Sequence, residues 1–133
     1  MSRYLLDTTA LIDFSKGKEP AFSLIHRFIE HGDEVGVSPI NVTEFYAGLA
    51  PAQREVWDAF FEPLLLWPIS LAAAKQAGRF RYDFARRGIT LSTTDALVAA
   101  VAREVGATLV TSNVKDYPMD EVSLLPLYQE RGE

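Results

Sequence analysis

Four acidic residues stand where an α/β chain collects its chemistry. Asp7 closes the apolar run Tyr4-Leu5-Leu6. Glu44 lies in "SPINVTEFYAGL", which follows the short run "EVGVS" at 34–38. Asp95 opens "STTDALVAAVAREV", and Asp116 follows "ATLVTS" within "TSNVKDY". In an open parallel sheet, ligands bind beyond the carboxyl ends of the strands. Acids far apart in sequence could therefore converge at one sheet edge. Clustered carboxylates repel, and their pKa values rise unless a cation joins them. The usual cation for an all-oxygen site is Mg²⁺ or Mn²⁺. Such a centre keeps water positions open and suits phosphate chemistry, because the metal acidifies and orients a water and neutralises charge on phosphoryl oxygens.

Each acid alone has a plainer use. Asp7 equally suits an N-cap for the helix after it, as do Thr8 and Thr9. Ser92-Thr93-Thr94-Asp95 is a capping-box-like start. Asp116 sits near Asn113 and Pro118, ordinary turn chemistry. Glu44 falls on the side of its helix away from Val42, Phe45 and Tyr46, and periodicity alone makes it a solvated surface residue.

The elements that must position these residues alternate between strand and helix. Strands are expected at 3–6, 34–38, 64–69 ("LLLWPI") and 107–112, with a short one near "SLLPL". Helices are expected at 9–16, over "PAFSLIHRFIEHG", after Ser38-Pro39, over 51–62, over 70–87 and over 92–105. Gly17, Gly32, Gly88 and Gly106 act as stops, and Pro20 and Pro39 as starts. Most strand candidates are continuous apolar runs, which favours a parallel sheet covered on both faces.

The 133-residue chain fits one domain, 1–133, with about 128–133 frayed at its end. Apolar residues make up 48% and charged residues 23%, as in an ordinary globular protein. No apolar run nears the roughly 18 residues of a membrane span, and no signal-peptide pattern opens the chain. The absence of cysteine removes disulfides, thiolate zinc and a Cys nucleophile, and suits a cytoplasmic location. His26 and His31 stand in unrelated contexts, which argues against histidine acid–base chemistry. The net charge of −5 means that a nucleic-acid partner needs a local basic patch.

"YLLDTTALID", "SPINVTEFYAGL" and "STTDALVAAVAREVGATLVTSNVKDY" together resemble the PIN-domain nucleases, and among them the VapC-type toxins of bacterial toxin–antitoxin pairs. The likeness runs from Asp7 to Asp116 with the motifs in order. It implies a three-layer α/β/α sandwich around a parallel sheet and a metal-dependent ribonuclease. Carried over position by position, Asp7, Glu44, Asp95 and Asp116 form the catalytic acidic quartet, with Asp7, Asp95 and Asp116 on the metal. Thr8, Thr111 and Asn113 match the supporting polar positions. The expected reaction is hydrolysis of an RNA phosphodiester by a metal-activated water. Asp13 reads as an extra acid, at the surface or helix-local.

RNA requires a local positive field. Lys75, Arg79, Tyr82 and Arg86 form one stripe of the 70–87 helix, opposite the apolar stripe Ala73, Ala77, Phe80 and Phe84. The stripe reads either as a solvated basic face or as an RNA backbone groove with Tyr82 for stacking. Lys115 could also approach a phosphate. Tyr46, Trp57, Phe60, Phe61 and Trp67 should mostly be core. The resemblance also implies that this helical pair clamps a cognate VapB-like antitoxin, and that the chain is a homodimer. Three rivals are weighed. A haloacid-dehalogenase phosphatase needs an Asp where Thr9 stands. A receiver-like phosphoacceptor lacks its paired acids with the later Thr and Lys. A non-catalytic PIN-like RNA- or protein-binding module has no need of a repulsive cluster.

Overall fold

The computed structural model of this chain describes residues 2–128. Strand β1 is Arg3–Leu6, followed by α1 (Thr8–Ser15) and α2 (Ala21–Glu30). Then come β2 (Glu34–Val37), α3 (Pro39–Ala47), a 3₁₀ turn (Pro51–Gln53), α4 (Arg54–Phe61) and β3 (Leu65–Leu66). The chain continues through α5 (Leu71–Ala85), α6 (Thr93–Val105), β4 (Thr108–Thr111), a 3₁₀ turn (Val114–Asp116) and β5 (Leu124–Pro126). The five strands form one sheet in the order β3-β2-β1-β4-β5, every neighbouring pair parallel.

Strand alternation sends consecutive apolar residues to opposite faces. Leu5 and Leu109 join the core beneath α5 and α6, with Phe80, Phe84, Val98 and Val101. Leu6 and Val110 join the core beneath α1, α2 and α3, with Leu11, Ile25 and Phe45. Helices thus cover both faces, which is why the central strands read as unbroken apolar runs. The architecture is the expected three-layer α/β/α sandwich. The N-caps are also as expected. Ser38 and Ser92 accept the amides of Asn41 and Asp95, and Pro39 is the first residue of α3.

The run "LLLWPI" departs from its expected form. Only Leu65–Leu66 pair, at the sheet edge, and both are exposed. Hydrophobicity alone does not distinguish an edge from a central strand, because strand order is a tertiary property. Trp67 parts company with the other four aromatics, lying on the α5–α6 face while Tyr46, Trp57, Phe60 and Phe61 pack against the opposite core. Its ring crosses β2 so closely that a Cβ on Gly36 would lie 2.6 Å from it, so only glycine fits there. The other four are half-buried rather than core.

The expected fraying of about 128–133 lies outside the described residues from 129 onward. Tyr128 itself is tied down, its hydroxyl donating to Asp13 Oδ2 at 2.9 Å. Asp13 therefore makes a long-range contact and is not helix-local. Among the described residues no helix is long and apolar enough to cross a membrane.

Candidate active site

β1 ends at Leu6 and the chain turns at once into α1, leaving Asp7 as its N-cap. Oδ1 of Asp7 accepts the Ala10 amide at 3.0 Å and the Thr9 hydroxyl at 2.6 Å. The capping role is real, then, but it engages one oxygen only. Oδ2 accepts from the Tyr117 hydroxyl at 3.4 Å. Asp7 is only 3% exposed, and burial pushes its pKa above the ordinary carboxyl value. The hydroxyls of Thr111, Thr9 and Tyr117 and the Ala10 amide pull the other way without cancelling it. Among the described residues the ion pairs are Arg3–Glu34 and Arg103–Glu121, and none of them involves Asp7. A buried charge without a partner is costly.

Glu44 is exposed, as periodicity implies, yet the face it occupies overlooks the same cleft. The Thr8 hydroxyl donates to Glu44 Oε1 at 2.6 Å and accepts from Asn41 Nδ2 at 3.4 Å. Asn41 is in turn locked by its reciprocal capping box with Ser38. Thr8 thus supports Glu44, and Thr9 supports Asp7. Thr9 also accepts the Ser112 amide at 3.0 Å, joining the ends of β1 and β4. Thr111 is fully buried and accepts the Asn113 amide at 2.9 Å.

Sequence reasoning passed over Thr9 and Asn41 as site residues. Each left a signal. A hydroxyl two residues after a strand-end Asp is placed to bond it locally. Ser38-Pro-Ile-Asn41 has capping-box spacing with Asn in the usual Glu or Gln position.

Asp95 sits in the first turn of α6, where the helix dipole favours an anion. Asp116 ends the 3₁₀ turn after β4. Burial raises its pKa, and the negative charge of Asp95 raises it further. All four acids line one cleft of about 240 Å³, together with Thr8, Thr9, Asn113 and Tyr117. Among the described residues no Lys, Arg or His lines it. The molecule has larger cavities; what distinguishes this one is its donors.

The donor set is all oxygen, which fits a hard divalent cation. Among the described residues no three carboxylates close on a single point tightly enough to form a ready-made cage. Mg²⁺ does not need one, since it keeps several waters and takes only one or two direct carboxylates. The dehalogenase alternative loses ground on geometry, because the position its acid–base Asp would take holds Thr9, already bonded to Asp7 and Ser112.

The basic stripe is not drawn into the cleft. Lys75 and Arg79 line a separate cavity of about 510 Å³ with Arg103 and Glu104, at the far end of α6. Helices α5 and α6 form an antiparallel hairpin, which leaves Tyr82 and Arg86 at the end nearer Asp95. There the Arg86 guanidinium stacks 4.1 Å from the Tyr82 ring centroid. Lys115 is exposed and is not part of the cleft wall. His26 packs beside Phe14 and Phe22, away from the acids.

The family model described as "PIN domain" matches residues 4–122. Ribonuclease VapC19 of Mycobacterium tuberculosis is 33% identical over 117 residues, 86% of this chain and 92% of that protein. The tRNA(fMet)-specific endonuclease VapC of Shigella flexneri is 28% identical over 122 residues, 88% of this chain and 91% of that protein. Among solved structures, DNA-bound VapBC from Salmonella typhimurium superposes with a TM-score of 0.82 at 25% identity, covering 96% of this chain and 100% of that one. VapBC2 from Rickettsia felis, bound to a DNA fragment from its promoter, superposes with a TM-score of 0.81 at 21% identity over 93% of this chain and 98% of that one, a likeness of fold.

Proposed function

This chain belongs to the PIN-domain family, and we propose that it is a Mg²⁺- or Mn²⁺-dependent endoribonuclease, the toxin of a toxin–antitoxin pair, acting through Asp7, Glu44, Asp95 and Asp116. The observation that carries the reading is that four acids line one small cleft with, among the described residues, no basic side chain beside them. The raised pKa values of Asp7 and Asp116 support it, since both groups gain from a cation.

Asp7, Asp95 and Asp116 would hold the ion, directly or through water. When bound, a divalent cation supplies positive charge for the phosphoryl oxygens and acidifies a water. Asp7, one of the residues lining the cleft, is held for this through Oδ1 by Thr9 and the Ala10 amide. Asp95 and Asp116, whose like charges repel, would both gain from a cation held between them. Glu44, steadied by Thr8, stands at the exposed rim, where it can take a proton from a water attacking phosphorus in line. Asn113 lines the wall and offers an amide for hydrogen bonding.

The partner reading rests on a second cavity. A groove of about 630 Å³ between α1, α3 and α4 is lined by Ile12, Phe45, Leu49, Val56 and Trp57, and also by Glu44. An apolar antitoxin segment laid in this groove would reach the acids at Glu44, and a basic residue on it would neutralise them. Trp57 is the one aromatic of the expected clamp that lines the groove; the Tyr46 hydroxyl instead donates to Asp58 at 2.5 Å, and its pKa is pushed up to about 12 by burial and that carboxylate. A homodimer, a cytoplasmic location and an RNA path over Tyr82, Arg86 and Lys115 belong to the same reading.

The test is RNA cleavage by purified protein with Mg²⁺ or Mn²⁺ and with chelator. Asp95→Asn and Glu44→Gln, both folded by circular dichroism, should each lose about 100-fold or more, because several kcal/mol of transition-state stabilisation is at stake. Full activity in either variant, or in excess chelator, overturns the proposal.

A further inference from the structure

Asp7 has two carboxylate oxygens, and the fold treats them differently. Oδ1 is held by a backbone amide and by the Thr9 hydroxyl. Oδ2 has one hydrogen-bond partner among the described residues, the Tyr117 hydroxyl. Tyr117 is 4% exposed, and its ring belongs to the apolar cluster that includes Ala96, Ala99, Leu109 and Met119. A ring so placed cannot swing, so its hydroxyl is a fixed point. Tyr117 nevertheless lines the acidic cleft, and its hydroxyl meets Asp7.

Phenylalanine would fill the same apolar site. The extra oxygen faces acids instead of apolar atoms, and packing does not explain it.

We propose that Tyr117 is a positioning residue, its buried hydroxyl fixing the plane of the Asp7 carboxylate by holding Oδ2 while Thr9 and the Ala10 amide hold Oδ1. Together with the Thr111 hydroxyl, which also acts on this carboxylate, these donors remove the rotation that one anchored oxygen would leave. The 3.4 Å separation is at the outer edge of a hydrogen bond, and such contacts tighten when a site is occupied. Oδ2 keeps a lone pair for the cleft, and the orientation of that lone pair is what Tyr117 sets. This inference rests on the reading of the cleft as a divalent-cation site.

The experiment is a Mn²⁺ titration of the full chain by electron paramagnetic resonance, without RNA, for wild type, Tyr117→Phe and Asp95→Asn. Partners that orient metal ligands typically contribute about 10–100-fold in affinity. Tyr117→Phe is expected to weaken Mn²⁺ binding about tenfold, at the lower end because the contact is long. In cleavage assays the metal concentration for half-maximal rate should rise in parallel, while kcat at saturating Mn²⁺ falls by less. Loss of packing alone would not produce that split. Tyr117→Met, smaller and also without a hydroxyl, should show at least the same loss. A loss in only one of the two variants overturns the role of the hydroxyl. So does unchanged or tighter Mn²⁺ binding in Tyr117→Phe, the latter because it would make the hydroxyl a competitor of the ion. If wild type binds no Mn²⁺ that Asp95→Asn removes, it is the cation-site reading that fails.

Discussion

At the N-terminal end of β1, Arg3 pairs with Glu34 at the start of β2, and its guanidinium also donates to the Val105 carbonyl at 2.8 Å at the end of α6. At the other end of the same strand, Asp7 meets Asp95, Asp116 and Glu44 around a cleft that no basic residue lines among the described residues. Both ends of β1 thus have charge beside them. At one end the charges are matched within the chain and lie near water. At the other they are unmatched, and one of them is buried. A fold has no reason of its own to maintain the second arrangement, since burial and repulsion both disfavour it. The contrast supports placing the proposed chemistry at the carboxyl end of the sheet, where doubly wound folds place ligands.

The comparison can be broken hardest at Asp7. Asp7→Asn should abolish cleavage to about 100-fold or more below wild type, by loss of a metal-holding charge. It should also stabilise the metal-free protein, because asparagine still caps α1 and the uncompensated carboxylate is gone. The pH dependence gives the sign. The folded-state pKa of Asp7 is raised above 3.8, so on raising pH the unfolded chain loses its proton first. Wild-type stability then falls as pH climbs from the unfolded value through the raised folded one, and levels off above it. Asp116 has the same sign, from burial first and Asp95 second. Denaturant melts of wild type and Asp7→Asn across that window, without metal, should diverge as pH rises. Added Mg²⁺ should raise the wild-type melting temperature and not that of the variant. A less stable Asp7→Asn at neutral pH would show that the cleft is not strained by charge.

Asp7, Asp95 and Asp116 were legible in the sequence because each sits at the end of an element, and element ends are written locally in capping residues and apolar runs. Glu44 was legible only by half. Periodicity gives its direction away from Phe45, but what that direction overlooks depends on how α3 packs beside α1. Thr9 and Ser112 meet only after β1 and β4 pair, so no local pattern marks their bond. The same holds for Tyr117, which reads as an apolar position until its hydroxyl is seen to reach Asp7. Leu65 and Leu66 carry as much hydrophobicity as Leu5 and Leu6, and only strand order makes them an exposed edge.

Thr9→Val probes the comparison at the next level. The replacement keeps the volume and removes a hydroxyl that donates to Asp7 and accepts from Ser112. Divalent-metal affinity and activity should fall about 10–100-fold. The unpartnered Ser112 amide should cost about 1–3 kcal/mol of stability. Thr9→Ser keeps the hydroxyl and should recover most of both. Metal titration and denaturant melts of the two variants separate the effects. If Val is tolerated in both assays, Asp7 is held by its backbone cap alone.

The smallest effect belongs to the matched end. Arg3→Met keeps most of the apolar stem and removes the guanidinium from Glu34 and Val105. The side chains of Arg3 and Glu34 are 51% and 37% exposed, so water screens both before and after the change. Exposed pairs contribute about 0–1 kcal/mol, and the loss should shrink further as salt rises. Cleavage should be unchanged, because the pair lies a full strand length from the acids. The result to look for is the difference in kind: removing a charge from the matched end slightly weakens the fold and spares activity, whereas removing one from the unmatched end strengthens the fold and ends activity. A large loss of cleavage in Arg3→Met would mean that the two ends are coupled through β1, and the division of labour drawn between them would not stand.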